Sequence, residues 1–177
     1  AGDTVYLTVV DEERNAVSLI QSIYEQFGSG IVPPGTGFAL QNRGCLFALG
    51  ADHPNCLEPG KRPFHTIIPA LVMSEGEPLF SFGVMGGDMQ PQGHVQILVN
   101  RLDFGFDVQA AGDAPRWRHI GSSTPVGGRM TDGGRVLVEE SAPQSTIDGL
   151  AAKGHRVEPR PSGAGFGGYQ GIWIDPE

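Results

Sequence analysis

An apolar run, Phe82 to Val84, passes into the paired glycines Gly86 and Gly87, and Pro91 then opens a predicted helix. Backbone N–H groups at a strand–glycine–helix junction point at whatever sits before the helix, which suits a developing oxyanion or another anion. A glycine pair also serves as a plain tight turn. What strengthens the chemical reading is its company: a hydroxyl at Thr4 near the start, and Pro59-Gly60-Lys61-Arg62-Pro63 between the two. Lys61 and Arg62 are solvated charges or, closed by Pro63 before an apolar run, a pair that fixes a loop against a carboxylate.

The other chemically able residues form no pattern. The five histidines, His53, His65, His94, His119 and His155, lack metal-ligand spacing, so no metal centre and no cofactor is predicted. Cys45 and Cys56 are too few for a disulfide scaffold, and a single loop disulfide stays open.

These residues need elements to position them. Residues 5–11 and 16–23 are apolar and β-branched around a charged turn, and read as a buried hairpin with Thr4 at the mouth of its first strand. Glycines and prolines break every periodicity from 27 to 60, leaving a long irregular segment of the kind that carries sites. Residues 66–73 and 79–84 form a second hairpin. Helices are predicted over 91–102, from 108 to 111 and over 144–153, the last closed by Gly154. Residues 135–139 and 169–174 read as outer strands. Strands, then helices, then a strand favour an α+β, layered-sheet architecture over a repeating βαβ one.

Composition bounds the function. The 177 residues suit one domain, 1–177, and 27 glycines with 14 prolines imply many turns. A net charge of −8 and scattered Lys and Arg argue against a nucleic-acid groove. No apolar run is long enough to span a bilayer, and no signal-like segment opens the chain. The chain therefore reads as soluble or as a processed product, and nothing in it records an address.

Read in order, Asp3 to Asp11, Asn15-Ala16-Val17-Ser18, Phe27-Gly28-Ser29-Gly30, Pro59 to Pro63, Pro69, Gly86-Gly87 and Ala114-Pro115-Arg116 resemble the small subunit of the γ-glutamyltranspeptidase family over nearly the whole chain. The resemblance implies an N-terminal nucleophile hydrolase: a four-layer αββα sandwich in which autoproteolysis of a zymogen frees a threonine. That threonine aligns with Thr4. An alcohol is a poor nucleophile at its ordinary pKa, and the freed α-amine supplies the base. Ser22 aligns with a residue that hydrogen-bonds the nucleophile, and Gly86 and Gly87 with the oxyanion cradle. The implied partner is the large N-terminal subunit of the same precursor, giving a heterodimer.

The chain departs from the family pattern where a γ-glutamyl group is gripped. An asparagine, a glutamine, an aspartate and a Ser-Ser pair are replaced by Tyr24, Arg43, Leu46, His65 and Thr66. Leu46 cannot pair an ammonium, and burying that charge unpaired costs several kcal/mol. Arg43 and His65 offer cationic donors, and Tyr24 an aromatic face with a hydroxyl, which suits a small acyl donor bearing a carboxylate and no free α-amine. The expectation is an amidohydrolase or acylase of the transpeptidase-like branch. A true γ-glutamyltransferase and a catalytically silent assembly module are the alternatives. Ala1, Gly2 and Asp3 precede Thr4, so the mechanism requires a cut before Thr4. The family pattern continues through another strand beyond Glu177.

Overall fold

The computed structural model describes residues 3–175; Ala1, Gly2, Pro176 and Glu177, at the two ends read above, lie outside the described residues. In chain order the elements are β1 (Asp3–Val10), β2 (Ala16–Tyr24), β3 (Ala70–Ser74), β4 (Glu77–Val84), α1 (Met89–Leu98), α2 (Val108–Asp113), β5 (Trp117–Ile120), β6 (Arg135–Glu139), α3 (Gln144–Ala152), β7 (Val157–Arg160) and β8 (Tyr169–Trp173). Among the described residues they form three sheets: the β1-β2 hairpin, β3-β4-β8 and β5-β6-β7.

The first hairpin turns at Asp11, whose carboxylate accepts the backbone N–H groups of Glu13 and Asn15 and the Asn15 side-chain amide. Those bonds, the Asn15 side chain's first, hold the Asp11 carboxyl below its ordinary range. Alternation then sends Thr4, Tyr6 and Thr8 to one face of β1 and Val5, Leu7 and Val9 to the other. The polar face is the inner one: Tyr6 is 4% exposed, its hydroxyl meets Ser18 Oγ at 2.8 Å, and Thr8 meets Ser81 Oγ at 2.6 Å. Gly83 is required beneath Tyr6, since a Cβ there would fall 2.5 Å from the ring. The apolar face, with Val17 and Leu19 of β2, is exposed. The hairpin is thus buried on one face only, a correction to the buried hairpin expected from its apolar residues.

The core lies on the opposite side of β4, where Phe80, Phe82 and Val84 pack with Ile97 of α1. The Phe80 and Phe82 rings stack with centroids 4.6 Å apart. His94 belongs to this layer: its Nε2 accepts the Val84 N–H at 3.1 Å and its ring lies 5.0 Å from Phe82. Burial pushes its pKa down to about 4. The neutral ring is therefore a strut between helix and strand. Between pH 6.5 and about 4 the unfolded chain takes a proton that the folded chain refuses, so stability falls as pH drops through that window. We expect the full-length protein to lose about 2 kcal/mol more than its His94→Gln variant between pH 7 and pH 5 in urea unfolding. Equal losses would mean that His94 titrates freely.

α1 begins two residues before Pro91, because the N–H groups of Met89 and Gln90 already bond to the carbonyls of Gly86 and Gly87. Pro91 sits in the first turn, where its missing donor costs nothing. The helix stops at Leu98 rather than 102 and opens into one wide turn, Val99–Asp103, closed by the Phe104 N–H on the Val99 carbonyl at 3.1 Å. Residues 66–69 are not strand as expected: the Ile68 N–H is taken by Gln90 Oε1 at 3.0 Å instead of a neighbouring strand.

β5 and β7 are additions to the sequence reading. β5 is held partly by a helix: the side-chain amides of Gln92 and Gln96, one turn apart on α1, donate to the carbonyls and accept from the N–H groups of His119 and Trp117. β6 and β7 are parallel across α3, so a single βαβ unit stands within the layered, non-repeating architecture that was expected. Cys45 and Cys56 are both free thiols, so the loop disulfide left open above does not form. No helix among the described residues is long and apolar enough to cross a membrane.

Candidate active site

The site starts at an irregularity. Asp3 pairs with Tyr24 but Thr4 pairs with Ser22, so β2 carries Ile23 as an extra residue opposite the Asp3–Thr4 bond. Tyr24 absorbs the bulge with φ of 77°, a conformation uncommon for a bulky side chain. The result aims three donors at one oxygen. Thr4 Oγ1, the Tyr24 N–H and Arg43 Nη2 each donate to Ser22 Oγ at 2.9 Å.

Arg43 comes from a single turn of 3-10 helix, Arg43–Leu46, in the irregular segment. It is 5% exposed. Nη1 reaches Thr66 Oγ1 at 3.5 Å, and the guanidinium lies 4.9 Å from the centre of the Tyr24 ring, a cation–π contact. Nε is buried with no partner among the described residues. Burial lowers the Arg43 pKa, but a guanidinium remains a cation at any working pH.

Facing this cluster is the glycine turn between β4 and α1. Gly86 has φ of 122° and Gly87 of 60°. The turn is backed by a second glycine run, 163–168. A Cβ on Gly86 would lie 2.9 Å from Gly167 Cα, and one on Gly167 only 1.9 Å from the Met85 carbonyl oxygen. The Met85 N–H closes the seam on the Gly168 carbonyl at 2.8 Å. Arg116 pins the run from behind: Nη1 donates to the carbonyls of Phe166 and Gly167 at 2.9 and 2.7 Å, and Nη2 pairs with buried Glu139 at 3.2 Å.

Between the two walls lies a cavity of about 580 Å³, lined by Thr4, Tyr24, Arg43, Thr66, Gly86 and Gly87. Ser22 joins through its bond to Thr4. His65 is exposed and does not line the cavity, although its chain neighbour Thr66 is buried in the wall. Leu46 does not line it either; its carbonyl accepts the Asn55 amide at 2.6 Å. Lys61 is ion-paired with Glu58 at 3.3 Å, and Arg62 is exposed. The sequence reading missed Glu25, Asp88, Arg118 and the glycines of 163–168, all of which line the cavity. The four glycines between Ser162 and Tyr169 were the available signal. Arg118 donates to the Gly165 carbonyl at 3.2 Å, which places a second cation on the far wall.

A hydroxyl that donates its hydrogen keeps its lone pairs for attack, and a glycine-lined turn opposite can receive negative charge. The arrangement is therefore suited to acyl transfer.

Comparison with known proteins points the same way. The sequence model of the family described as gamma-glutamyltranspeptidase matches residues 1–177. A glutathione hydrolase-like proenzyme of Bacillus subtilis is 44% identical over 88% of this chain and 29% of its own length. An oxamate amidohydrolase proenzyme of Klebsiella pneumoniae is 46% identical over 66% of this chain and 22% of its own length. The crystal structure of a cephalosporin acylase from Bacillus halodurans superposes with a TM-score of 0.85 at 47% identity, over 97% of this chain and 30% of that one. A Helicobacter pylori gamma-glutamyltranspeptidase mutant shares the fold alone, with a TM-score of 0.79 at 22% identity over 97% of this chain and 91% of that one. These neighbours bear out the α+β, N-terminal nucleophile hydrolase fold. The chain spans less than a third of the length of these curated relatives. It belongs to the gamma-glutamyltranspeptidase family.

Proposed function

We propose that this chain is the small-subunit part of an N-terminal nucleophile amidohydrolase whose precursor is cut between Asp3 and Thr4. One observation carries the reading: the Thr4 hydroxyl and the Gly86–Gly87 turn share a single cavity. Once freed, the Thr4 α-amine takes the proton from Oγ1, and Oγ1 attacks the amide carbonyl of the donor. The oxyanion faces the backbone of Gly86 and Gly87, and the amine returns the proton to the departing nitrogen. Water then resolves the acyl-enzyme, or an amine accepts the acyl group.

The large partner is the N-terminal part of the same precursor, as the proenzyme names of the relatives suggest. The outward apolar face of β1 and β2, with Val5, Leu7, Val9, Val17 and Leu19 each 41–55% exposed, is the surface it would cover.

For the donor, Arg43, Tyr24 and Thr66 favour a carboxylate, and Leu46 offers nothing to an ammonium. Oxamate, in the name of one relative, is such a compound: a carboxylate beside an amide, with no amine. Glu25 and Asp88 on the rim favour a second reading, a γ-glutamyl donor whose ammonium they pair. Intact-mass measurement of the full-length product should give a fragment beginning at Thr4. The processed protein should turn over oxamate or the monoamide of a dicarboxylic acid at least tenfold faster than γ-glutamyl-p-nitroanilide. The reverse ranking supports the glutamyl reading, and an uncut, inactive product refutes both.

A further inference from the structure

We propose that Arg43 acts on the nucleophile rather than only on the substrate: through Ser22 it directs a hydrogen bond at the Thr4 oxygen and keeps the Thr4 amine neutral. This rests on the reading of Thr4 given above.

A serine hydroxyl has two acceptor sites and one hydrogen. On Ser22 Oγ three donors compete for those two sites, and Arg43 Nη2 and the Tyr24 N–H, both at 2.9 Å, fill them once Thr4 gives up its hydrogen. When the amine takes the Thr4 proton, the hydrogen of Ser22 has one acceptor left in this chain of bonds, the oxygen of Thr4. The Thr4–Ser22 bond then reverses and stabilises the developing alkoxide. Arg43 biases that reversal because its bond is charge-assisted and its side chain is buried.

Arg43 also acts through its charge. Two hydrogen bonds of 2.9 Å join the guanidinium to the Thr4 hydroxyl, and the α-amine is attached one carbon away. A cation that close disfavours an ammonium, so the amine titrates lower and is a competent base at a lower pH. The other charged or titratable groups around the cavity are Tyr24 and Glu25 at the end of β2, Asp88 before α1, Arg118 on β5, and Cys45 beside Arg43. Glu25 is partly engaged by the Asn42 amide at 2.9 Å, and both it and Asp88 are exposed. Arg43 is the buried charge of the set.

The test uses the processed full-length protein with Arg43→Gln and Arg43→Lys. Arg43→Gln should lower kcat about tenfold with a smaller change in KM, and move the acidic limb of kcat/KM up by about one pH unit. Arg43→Lys should restore most of the limb. A readout independent of turnover is the pH dependence of Thr4 α-amine carbamylation by cyanate, followed by peptide mass spectrometry, which should shift in the same direction. A freed amine whose titration ignores Arg43, with KM alone raised, overturns this inference and leaves the functional reading intact. A precursor that never frees the amine overturns both.

Discussion

Thr4→Ala in the full-length precursor is expected to cost at least about 10⁴-fold in turnover, because in the proposed mechanism no other described residue lining the cavity would offer a nucleophile beside its own amine. The loss should come without collapse of the fold. Thr4 gives up one hydrogen bond to Ser22, while Ser22 keeps those from Tyr24 and Arg43, so about 1 kcal/mol of stability is at stake. Thr4→Ser retains the hydroxyl and should retain measurable turnover. Intact mass separates two routes to inactivity: a precursor that stays uncut has lost the oxygen needed for self-cleavage, and a cut but silent product has lost the acyl acceptor. Turnover by Thr4→Ala within tenfold of the unaltered protein would remove Thr4 from the chemistry.

The placement of Thr4 and of the glycine turn was legible because each depends on short-range pattern: a β-branched run, and an apolar strand broken by Gly86-Gly87. The orientation of the first hairpin was not. Alternation separates Val5, Leu7 and Val9 from Thr4, Tyr6 and Thr8, but which set faces inward is decided by β4, more than seventy residues away, through Ser81 and the bare backbone of Gly83. β5 escaped for a related reason: part of its edge is satisfied by Gln92 and Gln96 of a helix, a pairing that periodicity cannot announce. In the pocket, residue type indicated cationic donors at positions 43 and 65 and a hydroxyl at 24, with Thr66 among the aligned positions. Side-chain direction then admitted Arg43 and Thr66 and left His65 in solvent. The far wall, Arg118 and the glycines of 163–168, depends on a contact between Met85 and Gly168 across the molecule.

The two glycines of the turn should respond differently to the same small change. At Gly86, alanine adds a methyl 2.9 Å from Gly167 Cα in a backbone conformation that side chains avoid, and the neighbour is itself fixed by Arg116. Neither side of the seam can give, so the turn must move away from Gly167 and toward Thr4. If the turn carries the oxyanion as proposed, a donor displaced in this way costs about 10²- to 10³-fold in kcat. At Gly87, φ of 60° is the left-handed conformation, and nothing lies within 4 Å of the added Cβ. Gly87→Ala should therefore cost about 1 kcal/mol of stability and less than tenfold in kcat. Turnover and thermal unfolding of both variants read the contrast. A larger loss of kcat at Gly87 than at Gly86 would show that the seam with Gly167 does not hold the cradle, because only Gly86 is packed against it.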